Sequence, residues 1–273
     1  MASHAQCRMR FIATMDAMTP EASPFTPLAP TKGEGWTLHT AHEIGSTNSA
    51  AARLPAWHAV RARVQTDGRG RTGRFWVSDE GGLWLSAVLP CPGNRARWSI
   101  LPLAAGWAII AALKELGASG LRLRWPNDIM AGHRKLAGLL VERYNAETAV
   151  IGIGMNVLNF PEEHEPALAG ATVRLADLVP GGYTLEDLTR LILRSIGRAH
   201  GMIRNDDFRQ IASELNVHWS NPRLVSLTLT GRSHTFTGLF TGIDDAGRLR
   251  INTERFGSRS YDAAQVALLR ELE

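Results

Sequence analysis

Gly68-Arg69-Gly70-Arg71-Thr72-Gly73-Arg74 alternates arginine with glycine, a string able to lay several guanidinium forks around one anion. Its letters also satisfy G-x-G-x-x-G, but a dinucleotide fingerprint needs a helix opening at the last glycines. Here Phe75-Trp76-Val77-Ser78 leads through Gly81-Gly82 into a strand-like run, so a loop for phosphate plus carboxylate fits better. A solvated basic loop, or a nonspecific nucleic-acid contact, is the plain alternative. Ordering such a loop from a free state costs about 7–14 kcal/mol of backbone entropy, while each charge-assisted hydrogen bond returns about 1.5–3 kcal/mol. The loop is therefore expected to close only over an anionic ligand, shutting out water as it does.

Two further segments carry chemistry. In Arg124-Trp125-Pro126-Asn127-Asp128 followed by Arg134-Lys135-Leu136-Ala137-Gly138, a lysine opens an apolar strand. Its ammonium can hold a carboxylate or phosphate at the sheet surface, or can simply be a solubilising charge at a strand edge. In Ile151-Gly152-Ile153-Gly154-Met155-Asn156, two glycines inside a strand let a flat ligand approach the backbone, and Asn156 offers donor and acceptor to a base edge. A β-bulge is the competing explanation. His39 and His42 lack the carboxylate and H-E-x-x-H context of a zinc site.

These residues need a scaffold, and 273 residues at 44% hydrophobic can build one. Thirty Lys+Arg against 26 Asp+Glu leave a net +4, too little to argue for global nucleic-acid binding. Cys7 and Cys91 form no C-x-x-C pair, which fits a reducing compartment. No apolar run is read as approaching the roughly 18 residues of a membrane span, and Met1 to Pro30 has no secretion-signal pattern. A cytoplasmic protein is expected.

Residues 1–33, rich in proline, are expected to be a flexible arm. Residues 34–220 then form the catalytic unit. Ser46 is placed to cap a short helix, and Ala59 to Gln65 reads as a strand. Leu83 to Leu89 alternates with Trp84, Ser86 and Val88, a strand covered on both faces, and Trp98 to Leu116 is a helix apolar nearly all round. Strands are predicted at Leu121 to Trp125, Lys135 to Arg143 and Thr148 to Val157, with a Pro-Asn-Asp turn after the first. Thr184 and Asp187 form a capping box before a helix carrying Leu188, Ile192 and Ile196, and a second helix runs from Asp207 to Leu215. Residues 221–273 turn β-rich, with runs at Leu224 to Thr230, Thr235 to Ile243 and Arg248 to Asn252, as in a small antiparallel barrel or SH3-like unit. The fold class expected is α+β, a mixed sheet with helices on one face plus that small β domain.

Ser46-Thr47-Asn48, Gln65 with the arginine loop and Trp76, Trp125 to Asp128, Arg134 to Gly138 and Gly152-x-Gly154-x-Asn156, in this order, resemble the biotin protein ligase family. The resemblance runs from about Ile44 to the C-terminus and implies a class II synthetase-like fold and an ATP-dependent ligase. By resemblance, Ser46, Thr47 and Gln65 hydrogen-bond the ureido ring of biotin with Arg69 beside it, and Asn48, Gly70, Gly138, Gly152 and Gly154 also belong to the biotin site. Trp76 covers the hydrocarbon chain. Lys135 and Arg71 hold the biotin carboxylate and the phosphate of the adenylate, joined by Arg74 and Asn127, while Asn156 faces adenine. The resemblance places Mg2+ near Asp128, which is also a candidate helper in deprotonating the acceptor lysine.

Such a resemblance implies activation of biotin by ATP and Mg2+ as biotinyl-5'-AMP. The biotinyl group then passes to a lysine of the biotin carboxyl carrier protein of acetyl-CoA carboxylase. A monomer or homodimer is expected, without operator DNA binding, because too few residues precede Trp36 for a winged helix-turn-helix. Asp79-Glu80 departs from the family's common proline and sets two acids near the basic loop. A lipoate or octanoate ligase is the nearest enzyme alternative. A nucleic-acid-binding module with no catalysis, recognised by steeply salt-dependent binding, is the alternative of another class.

Overall fold

The computed structural model describes residues 31–33, 35–219, 221–231, 234–254 and 257–272 and gathers their strands into two sheets. In chain order the first part contains β1 (Thr31–Gly33), β2 (Trp36–Ile44), α1 (Thr47–Ala51), β3 (His58–Gln65), β4 (Leu83–Pro90), α2 (Arg95–Trp98) and α3 (Leu101–Glu115). After these come β5 (Leu121–Arg124), β6 (Asp128–Ala131), β7 (Arg134–Glu142), β8 (Thr148–Met155), α4 (Leu185–Arg204) and α5 (Phe208–His218). The last part holds β9 (Arg223–Leu229), β10 (Thr235–Ile243), β11 (Leu249–Thr253), β12 (Gly257–Tyr261) and β13 (Val266–Glu271).

The eight-stranded sheet runs β1-β2-β3-β4-β8-β7-β6-β5. Among the described strands, only β2 and β3 pair in parallel. β4 lies mid-sheet between β3 and β8 and is buried along seven of its eight residues, as its two-faced apolar pattern predicts. One face carries Leu83, Leu85, Ala87, Leu89, Ile151 and Ile153 against α3 and α4. On the other, Val60, Val88 and Val150 meet Ala50 and Ala51 of α1. The long helices thus share one face, while short α1 and the site residues take the other.

Local chemistry set several boundaries. Thr184 Oγ1 accepts from the Asp187 amide and the Asp187 carboxylate accepts from the Thr184 amide, closing the expected capping box of α4. Strand β10 matches its predicted bounds, and Gly247 closes the turn before β11 at φ +73°. Other features were not foreseen. Thr31–Gly33 extends the sheet as β1, at the end of the predicted arm, whose other residues lie outside the described ones. β6 starts at Asp128, where a turn was read, and β12 and β13 complete the second sheet, ordered β12-β11-β10-β9-β13. Among the described residues its strand pairing does not close into a barrel. Arg95–Glu115 is long and apolar enough to cross a membrane by length and composition, contrary to the sequence reading, but more than half of its best window is buried in the fold, where Leu101, Leu113 and Ile109 are core.

Candidate active site

Period-two geometry assembles the floor of the site. Gly154 pairs with Gly138 on β7 and with Trp84 on β4, and Gly152 pairs with Leu140 and Ser86, so three glycines and a serine share one face of the central strands. The guests of these glycines come from the chain itself. A Cβ at Gly154 would sit 2.6 Å from Trp76 Nε1, one at Gly138 would sit 3.0 Å from Trp76 Cζ3, and one at Gly152 would overlap the Asn48 amide. The close approach read from sequence is real, but here an indole and an amide make it. The Trp76 indole N–H is buried without a hydrogen-bond partner.

At one end of the floor lies a set of hydrogen bonds among side-chain amides and hydroxyls, anchored on the Glu142 carboxylate. Gln65 Oε1 accepts from the Thr47 amide and from Thr47 Oγ1, each at 2.8 Å, and Gln65 Nε2 donates to Ser78 Oγ at 3.0 Å. Ser86 Oγ stands 2.8 Å from Thr47 Oγ1 and 2.6 Å from Asn48 Oδ1, and Asn48 Nδ2 donates to Glu142 at 2.7 Å. Ser46, Thr47 and Asn48 are buried, presented by the start of α1. Arg69 reaches this end too, donating to Ser49 Oγ at 2.8 Å.

The other end is ionic. Lys135 Nζ meets Asp128 Oδ1 and Arg124 Nη2 meets Oδ2, both at 2.7 Å, and the Lys135 ammonium stands 4.7 Å from the Trp76 ring centroid. A bulge explains how Lys135 arrives there. Ala137 pairs with Ile129 but Lys135 with Met130, so one extra residue on β7 turns the lysine onto the face of Gly138. Burial alone would raise the Asp128 pKa, but Lys135 and Arg124 outweigh it and hold the carboxyl below its ordinary range. With both oxygens on cations, Asp128 is the counter-ion that orients Lys135 in this arrangement.

Arg71 and Arg74 rise over this end from the predicted loop. The loop packs against the second sheet. Arg71 Nη2 donates to the carbonyls of Ala263 (2.5 Å) and Val266 (3.0 Å), and Arg74 Nη2 to that of Ala267 (3.2 Å). Gly70 N to Arg74 O and Trp76 N to Gly68 O close the loop on itself, with Thr72 and Gly73 at φ +60° and +73°. Burial draws the Arg71 pKa down, with Asp128 opposing. Backbone carbonyls of the second sheet thus hold the loop at this end of the cleft.

All the predicted site residues line one cleft with about 310 Å³ of room, Ser46 to Asn48 at one end and Arg71, Lys135 and Asp128 at the other. Two of them are less available than expected. Asn127 Nδ2 is spent on the Leu139 carbonyl at 2.5 Å, and buried Asn156 donates weakly to the Lys135 carbonyl and accepts from Asn159. Asp79 and Glu80 do not face the loop: Glu80 pairs with Arg63 at 3.2 Å, and Asp79 approaches His164 at 3.4 Å. Asp128 is the one carboxylate lining the cleft among the described residues, and both its oxygens face cations, so it does not fit a metal ligand in this arrangement. His39 instead contacts His58 at 3.0 Å.

Sequence reading missed Ser78, Ser86 and Glu142, which fix the neutral end, and Arg124, which shares Asp128. It also missed Leu168 and Thr172, which wall the cleft beside Lys135, and Val266 to Leu269 of β13. A lone serine inside the apolar run of β4 was the visible clue to Ser86.

Residues 46–156 match the model of the biotin/lipoate A/B protein ligase family. The chain is 30% identical to a biotin--[acetyl-CoA-carboxylase] ligase of Paracoccus denitrificans, covering 81% of this chain and 96% of that one. It is 31% identical to the protein of that name from Mycobacterium tuberculosis, covering 81% and 85%. Among solved structures, the biotin protein ligase of Aquifex aeolicus in complex with biotin and ATP superposes with a TM-score of 0.74 at 26% identity, covering 86% of this chain and 99% of that one.

Proposed function

This chain belongs to the biotin protein ligases of the biotin/lipoate A/B protein ligase family, and we propose that it activates biotin with ATP and hands the biotinyl group to a lysine of the biotin carboxyl carrier protein of acetyl-CoA carboxylase. One observation carries the reading. Amide and hydroxyl donors and acceptors stand at one end of a glycine-floored cleft, and at the other Lys135 and Arg124 share a single lining carboxylate with Arg71 nearby. A ureido ring with a hydrocarbon tail ending in carboxylate has that polarity.

In the first step a biotin carboxylate oxygen attacks the α-phosphorus of ATP, a P–O bond forms, and pyrophosphate leaves. Two anions must meet, so Lys135 and Arg71 offset the repulsion and favour the charge of the pentavalent state. Lys135 exchanges Asp128 for the incoming anion, and Arg71, held by the carbonyls of Ala263 and Val266, presents its remaining N–H groups to it. Thr47, Gln65 and Asn48 hold the ring, Trp76 lies along the tail, and Leu168 and Thr172 border the nucleotide. In the second step a neutral acceptor-lysine amine attacks the acyl carbon, AMP leaves, and a proton is lost to solvent.

ATP enters with its own Mg2+; no step is assigned to a metal on Asp128. Incubating the protein with biotin and ATP should yield biotinyl-5'-AMP by mass spectrometry, with biotin-dependent release of pyrophosphate. Pyrophosphate release driven by lipoate but not by biotin would sink the proposal in favour of the lipoate branch.

A further inference from the structure

Glu271, at the end of β13, joins the two sheets. Arg122 of β5 donates Nη1 to Oε1 at 2.7 Å and Nη2 to Oε2 at 2.5 Å, a parallel fork. Arg223 of β9 approaches Oε1 at 3.5 Å. The side chains of the forked pair are only 17% and 18% exposed, so solvent screens them little. Arg122 Nε also donates to the Gly132 carbonyl at 3.1 Å, which pins the guanidinium to the turn between β6 and β7.

β13 has a second job at its other end. The carbonyls of Val266 and Ala267 hold Arg71 and Arg74, and the side chains from Val266 to Leu269 wall the cleft. Among the described residues β13 is also an edge strand, bonded within its sheet to β9 alone. Its sheet is packed on the shared core through Val225, Leu227 and Val266, and Glu271 adds a direct ionic tie from β13 to the catalytic sheet.

We propose that the Arg122–Glu271–Arg223 bridge is a positioning device for adenylate chemistry: it sets β13 against the catalytic sheet and so fixes the Arg71 and Arg74 loop over the charged end of the cleft. The proposal rests on the ligase reading for its enzymatic readout. Mere glue between sheets would, on loss, weaken both ends of the cleft or global stability alone. A positioning role acts on the charged end only, because Ser46, Thr47 and Gln65 are held by β3, β4 and α1 without help from β13.

The test compares wild type with Glu271→Gln, which keeps the shape and removes the charge. Expected in the variant are escape of biotinyl-AMP in the absence of acceptor about tenfold faster, the factor given by 1.4 kcal/mol, a raised KM for ATP, and biotin affinity within about twofold of wild type. Equal losses of biotin affinity and adenylate retention, or no change in either, would overturn the proposal. If Glu271→Gln does not fold, Glu271→Asp keeps the charge but shortens the fork, and the same split should appear with smaller size; its absence overturns the proposal equally. Amide hydrogen exchange over residues 68–76 needs no substrate and separates the two claims. Failure of wild type to release pyrophosphate with biotin would reject the ligase reading, whereas unchanged loop exchange in the variant would reject the bridge.

Discussion

The two ends of the cleft are built on opposite plans. At the neutral end, Gln65, Thr47, Ser86, Asn48, Ser78 and Glu142 satisfy one another, so the geometry exists before any ligand arrives. Such preorganisation limits the ordering cost of binding. At the charged end, Lys135 and Arg124 share one carboxylate, and Arg71 is held by backbone carbonyls of the second sheet. For the proposed ligase, the contrast would separate recognition, done by a fixed network, from catalysis, done by a cluster of cations.

Substitutions should divide along that line. Lys135→Ala should have the largest effect, lowering biotin-dependent pyrophosphate release by about three orders of magnitude, or about 4 kcal/mol of transition-state stabilisation, with unfolding still cooperative. Stopped assays on the purified variant check it, and near-wild-type turnover would remove Lys135 from the chemistry. Asp128→Asn should come next, because it leaves Lys135 and Arg124 without their shared anion. A loss of about 3 kcal/mol in urea unfolding at neutral pH is expected, as for removal of one partner from a mostly buried pair. The Asp128 carboxyl is held below its ordinary range, so its stabilisation is complete above the unfolded pKa of about 3.9 and is lost as pH falls through the lower folded value. The stability gap between wild type and Asp128→Asn should therefore be flat at neutral pH and shrink in strong acid. A gap that grew with acid would contradict the assignment.

The charged end was more legible in sequence than what completes it. Arg71, Lys135 and Asp128 stand in short motifs whose residue types advertise anion chemistry, and they do meet in one cleft. The glycines at 138, 152 and 154 announced a close approach, but not that Trp76 and Asn48 would make it. Elements set by local signals, such as the Thr184 and Asp187 capping box and the doubly covered β4, could be read directly. The bulge that turns Lys135 inward left no local mark, and β6 hid behind a Pro-Asn-Asp turn signal. Docking of Arg71 on Ala263 spans 192 residues, a pairing that no window of sequence contains. Backbone carbonyls, the acceptors there, carry no residue signature at all.

Between the two plans lies the arginine loop, tested by Arg71→Ala. Loss of its charge-assisted bonds should cost about 2 kcal/mol and release biotinyl-AMP roughly thirtyfold faster, with biotin affinity little altered. Trapping the escaped adenylate with hydroxylamine measures the rate, and unchanged leakage would show that the loop is no lid.

The smallest expected effect tests the neutral end. Ser86 sits on β4 opposite Gly152 and touches only Thr47 and Asn48 with its hydroxyl, so Ser86→Ala removes a bridge rather than a contact to ATP. Because Thr47 and Asn48 keep their links to Gln65 and Glu142, the network loosens without leaving a charge exposed. About 1 kcal/mol is the expected cost, a roughly fivefold loss of biotin affinity by calorimetry. The KM for ATP should stay near wild type, since Lys135 and Arg71 are untouched. A matching rise in the KM for ATP would mean that the two ends are coupled through the strands between them, and that the division of labour drawn from their geometry does not hold in solution.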